Sequence, residues 1–271
     1  MRKFTIFLIV AAFVGCAFGT AVAGDTLAEV KKKGVLVGGV KDSTPPFGFI
    51  NEQTRQIEGY DVDFLKAIAD KLGVKLEVKA VTSASRMPQL TEGNIDIVAA
   101  TMTITPERAQ QIDFSHTYFL TGQKFLTKKG TIKALKDLEG KKIGTAKGST
   151  SEQNATKALP TATVLSFDDY PQAFLALQQG KVVAVTTDES ILAGLRGAAP
   201  NKDAFEIPDF QISDEPYGLG MRKGDKAFVD AVNAALLDME KSGQAAAIFQ
   251  KWLGPDSKTP MKRNFQITAG K

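Results

Sequence analysis

Charged and hydroxyl side chains follow five apolar, strand-like segments of the sequence, each shortly after the segment ends. They are Lys41, Arg86, Thr101, Thr103, Arg108, Ser149, Thr150 and Asp188. Three of them are cations, one is a carboxylate and the other four carry hydroxyls. In open α/β sheets, ligands bind beyond the carboxyl ends of the strands. Together these side chains would suit a small anionic ligand that also carries one positive group.

Each of these residues also has a plain structural explanation. Serine and threonine commonly cap helices at strand-to-helix junctions, which would account for Ser149 and Thr150. Asp188 could cap the helix predicted for "ESILAGL", Arg86 could be a surface charge, and Thr103 suits a β-strand. Only convergence of these residues on one cleft would favour a ligand site, and the sequence alone does not show convergence.

Arg108 stands at an unfavourable place for a cation. Thr105 is a suitable N-cap and Pro106 suits the first turn of a helix, so Arg108 is predicted in that first turn. The positive end of the helix dipole lies there and repels a cation. This position therefore raises the question of what compensates Arg108.

The elements that must position these residues form two α/β units of roughly a hundred residues each. Residues 35–101 are predicted to form β-α-β-α-β, which indicates a parallel sheet covered by helices. "RQIEGYDVDFLKAIADKLG" is the clearest helix, since Phe64, Leu65, Ile68 and Leu72 recur at helical spacing. A second unit follows "YFLTGQKF", strand character resumes at "YGLGMRKG", and two amphipathic helices end the chain.

Composition argues against several classes of function. The net charge is +4 in 271 residues without a clustered basic face, so a nucleic-acid partner is not expected. Cys16 is the only cysteine and His116 the only histidine, and His116 is predicted to be structural. Neither a P-loop nor a G-x-G-x-x-G motif is present. No metal site or cofactor is predicted.

The first 23 residues have the pattern of a secretory signal peptide. Arg2 and Lys3 precede an apolar run over residues 4–18, and a small-x-small site ends at Ala23. Cleavage there would remove two basic residues and no acidic ones, which lowers the net charge from +4 to +2. Alternatively, "FVGC" loosely resembles a lipobox, which would attach a lipid to Cys16. Either route predicts an extracytoplasmic, periplasmic protein.

Three segments resemble sequence blocks of one bacterial family. "GYDVDFLKAIADKL" at 59–72 is similar to the signature of family 3 solute-binding proteins, which bind polar amino acids, and "ATMTITPERAQQIDFS" and "GKVVAVTTDESIL" resemble two further blocks. The similarity covers residues 24–271. It implies an α/β, two-lobed periplasmic-binding-protein fold (type II, the Venus flytrap) with two crossing hinge strands. Lobe 1 would comprise 24–117 plus 218–271, and lobe 2 would comprise 118–217.

The resemblance assigns roles to the polar residues. Arg108 would pair with the α-carboxylate of an amino acid, whose charge also compensates the helix N-terminus, and Asp188 would pair with the α-ammonium. Four other residues are expected to contact the ligand through backbone or hydroxyl groups: Thr101 and Thr103 from lobe 1, and Ser149 and Thr150 from lobe 2. Many members place an aromatic side chain near Thr44, where Phe47 or Tyr118 could substitute here.

The positive charges of Lys41 and Arg86 are not needed for recognition of the zwitterionic end of an amino acid. Their strand ends would flank the side-chain pocket, and "GVKDSTPPFG" and "VTSASR" resemble the acidic amino-acid subgroup. The expected ligand is therefore free L-glutamate or L-aspartate, with glutamine or asparagine next. The expected partner is the membrane permease of an ABC importer. The binding protein is expected to be a monomer that delivers the amino acid to this permease.

Two other classes of protein use this scaffold. Cyclohexadienyl dehydratase resembles these proteins and acts as an enzyme, and Glu189 beside Asp188 keeps a general-acid reading open. Sensory receptor domains also use such lobes. Asp188 suits an ammonium partner better than a catalytic acid, which favours transport over catalysis.

Overall fold

The computed structural model describes residues 25–269, so the predicted signal peptide and Cys16 lie outside the described residues. The two-lobed α/β architecture predicted from the sequence is confirmed, since two separate sheets are each flanked by helices. Among the described residues, none of the helices combines the length and apolar character that a bilayer crossing would need.

The described helices and strands alternate along most of the chain. The helices are α1 (Thr26–Lys33), α2 (Tyr60–Leu72), α3 (Arg86–Thr91), α4 (Pro106–Gln111), α5 (Thr150–Ala158), α6 (Tyr170–Gln178), α7 (Glu189–Ala198), α8 (Lys226–Lys241) and α9 (Gln244–Leu253). The strands are β1 (Val35–Val40), β2 (Ser43–Thr44), β3 (Gly48–Ile50), β4 (Ile57–Glu58), β5 (Lys75–Ala80), β6 (Ile97–Ala99), β7 (Ile112–Phe114), β8 (Phe119–Lys128), β9 (Lys142–Ala146), β10 (Thr163–Phe167), β11 (Ala184–Asp188), β12 (Phe205–Glu206), β13 (Ser213–Tyr217) and β14 (Gly220–Arg222).

Each lobe is built on one of the two larger sheets. The sheet of lobe 1 has the order β5-β1-β6-β14-β7, in which β1 is parallel to β5 and β6. The sheet of lobe 2 has the order β10-β9-β11-β8-β12, with β13 paired to β8. The chain passes between lobes just before β8 and just after β13, and these two strands pair antiparallel with Tyr217 opposite Phe119. We call β8 and β13 the hinge strands.

The start of α2 differs from the sequence prediction. The helix begins at Tyr60, and the residues predicted as its first turn form β4 instead. Gly59 has φ +146, and a Cβ there would lie 2.2 Å from the carbonyl oxygen of Phe47. Only glycine fits so close to that carbonyl, so the chain turns sharply from strand to helix.

Two short strand regions were not predicted. The loop after β1 contains β2 and β3, which form a three-stranded sheet with β4, and β7 follows α4 directly. Strands of two or three residues are too short to show an alternating pattern of apolar and polar side chains.

Aromatic side chains form the core beneath the hinge. The ring of Phe47 packs edge-on against those of Phe119 and Tyr217, with centroids 5.0 and 5.6 Å apart. Tyr118 lies in the same cluster, and its hydroxyl donates to Asp61 Oδ1 at 2.7 Å. Phe47 and Tyr118, the suggested substitutes for a ligand-stacking aromatic, are fully buried in this cluster, which joins the lobes.

Candidate ligand-binding site

All eight polar residues predicted from the sequence converge where the two lobes meet. Some of their side chains form hydrogen bonds with other protein groups there. Seven are buried and Arg108 is half-buried. They stand in the segments that follow β1, β5, β6 and β9, and at the end of β11: Lys41, Arg86, Thr101, Thr103, Arg108, Ser149, Thr150 and Asp188. We call the space between the lobes the cleft.

Arg108 reaches from lobe 1 towards lobe 2. Thr105 caps α4 by accepting from the backbone N–H of Arg108 at 3.2 Å, as the sequence predicts. The guanidinium Nη1 donates to the backbone oxygen of Thr103 at 2.8 Å, and Nη2 is 3.4 Å from the backbone oxygen of Gly148 in lobe 2. Both of these acceptors are neutral carbonyls, so the charge of Arg108 is available to an anion.

Asp188 ends β11 with one oxygen paired and the other without a partner. Oδ2 accepts from the hydroxyl of Tyr217, while Oδ1 is buried without a hydrogen bond. The carboxylate does not cap α7. Burial and the charge of Glu215 raise the pKa of Asp188 to about 7, although Tyr217, Arg86 and Arg108 oppose that rise. An unpaired, buried carboxylate oxygen is unfavourable, so a cationic ligand group placed here would be stabilised.

Lys41 and Arg86 are buried cations on the lobe 1 side of the cleft. Lys41 Nζ donates to Ser83 Oγ at 2.7 Å and lies 5.9 Å from the ring centroid of Tyr170 in lobe 2. Burial and then the charge of Arg86 lower the pKa of Lys41 well below its ordinary value. Burial and then the charge of Arg108 lower the pKa of Arg86 to about 9. Within residues 25–269, neither cation forms an ion pair with a carboxylate.

Thr101 is held in an uncommon backbone conformation by two charged side chains. Its φ is +48, its N–H donates to Asp61 Oδ2 at 3.0 Å, and its carbonyl accepts from Arg86 Nη1 at 3.0 Å. Non-glycine residues rarely adopt positive φ, and such strain concentrates at functional sites. Arg86 therefore has a structural role that the sequence did not reveal, because part of its guanidinium organises this loop. Its Nε remains buried without a partner.

The hydroxyls of the three remaining residues are engaged by the protein. Ser149 Oγ accepts from the N–H of Glu152 at 3.1 Å and donates to the carbonyl of Ala146 at 2.6 Å, so it caps α5. Thr103 Oγ1 and Thr150 Oγ1 both donate to Glu215 Oε2, at 2.6 and 2.8 Å. The Ser149 hydroxyl therefore acts as the helix cap that its position in the sequence suggests, and its backbone N–H also donates to the carbonyl of Ala146, at 3.4 Å.

Three residues of the site were missed by sequence reasoning. Tyr170 lies between the lobes, with its ring centroid 5.9 Å from Lys41 Nζ. The sequence around it, an aspartate cap followed by Tyr-Pro, signals only the start of a helix. Glu215 and Tyr217 belong to a hinge strand, and an alternating pattern of buried residues on that strand was the available signal.

The lobes are in close contact across the cleft. A Cβ at Gly148 in lobe 2 would lie 2.8 Å from Ala84 Cα in lobe 1. A Cβ at Gly194 on α7 would lie 2.0 Å from the carbonyl oxygen of Pro45 in lobe 1. Because both approaches are closer than any real Cβ contact, this closed arrangement requires glycine at both positions.

Comparison with known proteins agrees with this architecture. The family model described as bacterial extracellular solute-binding proteins, family 3, matches residues 36–255. The chain is 44% identical over 237 residues to the "ABC transporter glutamine-binding protein GlnH" of Bacillus subtilis, covering 86% of each chain. It is 33% identical over 285 residues to the "Glutamate/aspartate import solute-binding protein" of Salmonella typhimurium, covering 99% of this chain and 94% of that one.

A solved structure gives the same result. "An ancestral arginine-binding protein bound to glutamine" superimposes with a TM-score of 0.78 and 43% identity, over 82% of this chain and 98% of that chain. The chain therefore belongs to family 3 of the bacterial extracellular solute-binding proteins. It is an amino-acid-binding protein of the ABC-importer type, with the two-lobed type II fold of that class.

Proposed function

We propose that this protein captures free L-glutamate or L-aspartate outside the cytoplasm and delivers it to the membrane permease of an ABC importer. The observation that carries the acidic assignment is the pair of buried cations, Lys41 and Arg86, which face the cleft without a carboxylate partner. A buried cation is costly unless an anion or strong acceptors compensate it. A ligand with a second carboxylate would supply that compensation.

The remaining charges suit the α-carbon end of the ligand. The guanidinium of Arg108 would take the α-carboxylate through its remaining N–H groups, together with backbone N–H groups at the start of α5. The ammonium would approach Oδ1 of Asp188, the oxygen without a partner. Since Arg108 belongs to lobe 1 and Asp188 to lobe 2, one ligand would bridge both lobes. A ligand favours closure only by as much as it prefers the closed form.

Glutamine is a second candidate ligand. The relative at 44% identity is named for glutamine, and the ancestral structure at 43% identity holds glutamine, whereas the relative named for glutamate and aspartate is 33% identical. A carboxamide could accept from Lys41 through its oxygen. Its –NH₂ group is an uncharged hydrogen-bond donor and would not compensate a cation, so one of the two cations would remain without a partner.

Isothermal titration calorimetry with the purified, ligand-stripped protein would distinguish these ligands. We expect tight binding of L-glutamate or L-aspartate, and binding of L-glutamine at least tenfold weaker, because an unpaired buried charge costs more than about 1.4 kcal/mol. Tight binding of glutamine together with weak glutamate would replace the acidic assignment by the amide one. Binding of no amino acid at all would contradict the proposed function.

Replacing Lys41 by methionine should change ligand preference. We expect Lys41→Met to weaken L-glutamate by at least about tenfold while L-glutamine is unchanged or strengthened, because only the acid depends on the lost charge. Lys75→Met, which removes an exposed lysine from β5, is the matched control. Equal losses for both ligands in Lys41→Met would show that this side chain only packs. Arg86 is less suitable for this test, since its removal would also free the loop at Thr101.

The preference for a ligand with an ammonium group should depend on pH. Asp188, with its pKa near 7, must be ionised to pair with an ammonium, so binding below pH 7 first requires loss of a proton. We expect the affinity ratio of L-glutamate to glutarate, which lacks the ammonium, to fall by up to about tenfold per pH unit below 7. The pKa values of Lys41 and Asp61 are also shifted, but changes in their protonation affect the binding of both ligands alike and cancel from the affinity ratio. Competition titrations between pH 8.5 and 6 measure it, and a constant ratio would exclude Asp188 as the ammonium partner.

Catalysis by a dehydratase relative is the alternative to transport. The relatives and the family model are named for solute binding and not for catalysis. Incubation with prephenate or arogenate tests the enzyme directly, and release of an aromatic product would establish it.

We propose that the protein acts as a monomer in the periplasm, with residues 1–23 removed as a signal peptide.

A further inference from the structure

Glu215 is a buried carboxylate at the junction of the two lobes. It stands on hinge strand β13 and is 1% exposed. Oε2 accepts from Thr103 Oγ1 in lobe 1 at 2.6 Å and from Thr150 Oγ1 in lobe 2 at 2.8 Å. Oε1 accepts from Asn154 Nδ2 at 3.0 Å and from Ser213 Oγ at 2.5 Å. An ionised carboxylate only accepts, so all four donors must direct a hydrogen towards it.

This arrangement decides the direction of two hydroxyl protons in the cleft. A threonine hydroxyl has a single proton, and here both protons are taken by Glu215. The oxygens of Thr103 and Thr150 lie 3.3 Å apart, and each retains lone pairs only. Two acceptor oxygens so close together attract a cationic donor and repel a carboxylate oxygen. Free threonine hydroxyls, by contrast, could turn either way and would not discriminate.

We propose that Glu215 is a positioning residue for ligand recognition: it fixes the hydroxyls of Thr103 and Thr150 as acceptors and so assigns them to the ligand ammonium. The inference rests on the proposed amino-acid function and adds a residue to the recognition of its ammonium end. Sequence resemblance implied instead that Thr150 serves the ligand α-carboxylate through its N–H or hydroxyl. With the hydroxyl committed to Glu215, that carboxylate is left to Arg108 and to backbone N–H groups.

The charges around Glu215 agree with this division. Asp188, the proposed ammonium partner, is close enough for the charge of Glu215 to raise its pKa. Arg108, the proposed carboxylate partner, has its pKa raised in part by Glu215 although burial lowers it overall. Two carboxylates, Asp188 and Glu215, therefore lie close to the proposed ammonium subsite, and the Arg108 guanidinium lies near it through its bond to the Thr103 carbonyl. Because Glu215 reaches hydroxyls from both lobes, the ammonium subsite is complete only when the lobes are closed.

The test compares Glu215→Met with Asp214→Asn. Glutamine is unsuitable, because its amide oxygen could take the place of Oε2 and hold both threonine hydroxyls as before. Methionine is similar in length but offers neither threonine a carboxylate oxygen, so both hydroxyl protons are free to turn into the cleft. Asp214 is the neighbouring, exposed carboxylate of the same strand, and its loss removes the same charge away from the site. Competition titrations at pH 8.5 keep Asp188 ionised in all three proteins, and L-glutamate and glutarate serve as ligands with and without the ammonium.

We expect the glutamate-to-glutarate affinity ratio to fall at least tenfold in Glu215→Met and to stay within twofold of the wild type in Asp214→Asn. An unchanged ratio in Glu215→Met would overturn the inference, even if both affinities or the melting temperature fall together. Neutron diffraction from deuterium-exchanged crystals decides independently, since it locates the hydroxyl deuterons of Thr103 and Thr150. Deuterons directed at Glu215 support the inference, and deuterons directed at the ligand contradict it. If the wild type binds no amino acid, the proposed function fails rather than this assignment.

Discussion

Replacement of Arg108 by alanine is expected to abolish measurable binding of every amino acid. The guanidinium donates to the backbone carbonyls of Thr103 and Gly148, and two of its remaining N–H groups can pair with a carboxylate in fork geometry. Truncating one partner of a buried charge pair costs about 2 to 5 kcal/mol, or a factor of roughly 30 to 5,000 in affinity. Every amino acid carries the α-carboxylate, so the loss should not depend on the side chain.

Calorimetry on Arg108→Ala and Arg108→Lys measures this effect. Lysine keeps the charge but not the planar fork, so we expect an intermediate loss. Arg55→Ala, which removes an exposed arginine that is not among the predicted site residues, is the matched control and should bind as the wild type does. A loss confined to acidic ligands would instead place Arg108 in the side-chain pocket.

A single methyl group at Gly194 should prevent ligand-driven closure while leaving the fold intact. Gly194 lies within α7, where alanine is favoured over glycine by about 1 kcal/mol. In the closed arrangement, however, its Cβ would stand 2.0 Å from the carbonyl oxygen of Pro45 in the opposite lobe. A Cβ and a carbonyl oxygen are both fixed by the backbone, so no side-chain rotation can relieve this clash. We therefore expect Gly194→Ala to melt no lower than the wild type and yet to bind glutamate at least about a hundredfold more weakly.

Small-angle X-ray scattering with and without saturating glutamate tests the mechanism behind that loss. The wild type should become more compact with ligand, and Gly194→Ala should not. Gly144→Ala is the matched control, because its Cβ would point inside lobe 2, with Ala173 Cβ and Phe167 as its first neighbours at 3.3 Å. That variant can change stability but should still close. Normal affinity in Gly194→Ala would show that binding does not need the lobe contact at Pro45.

The parts of the fold predicted best from the sequence are those with long periodic patterns. The apolar spacing of α2 and α8 and the alternation of strands and helices in each lobe identified the two α/β units, because burial of one face imposes those periods. The antiparallel sheet β2-β3-β4 and the strand β7 were missed. Each strand there has only two or three residues, and tertiary contacts rather than local preference hold them.

The candidate site was predicted in outline because topology brings strand ends together. Lys41 and Thr103 follow parallel strands of the lobe 1 sheet, and Asp188 ends a lobe 2 strand that is parallel to β9, so each sheet brings its own residues to one edge. Glu215 and Tyr170 were not predicted. Glu215 reaches the cleft through the antiparallel pairing of β13 with β8, and Tyr170 does so by the docking of α6 on lobe 2. Both depend on how distant segments pack, which a single sequence does not encode locally.

A crystal structure of the protein grown with L-glutamate tests the central claim most directly. The account predicts one ligand between the lobes, with its α-carboxylate against the Arg108 guanidinium and its ammonium within hydrogen-bond distance of Asp188 Oδ1. Its side-chain carboxylate should then face Lys41. A ligand held by one lobe only, or one whose two ends are reversed or turned away from Arg108 and Asp188, would contradict the account.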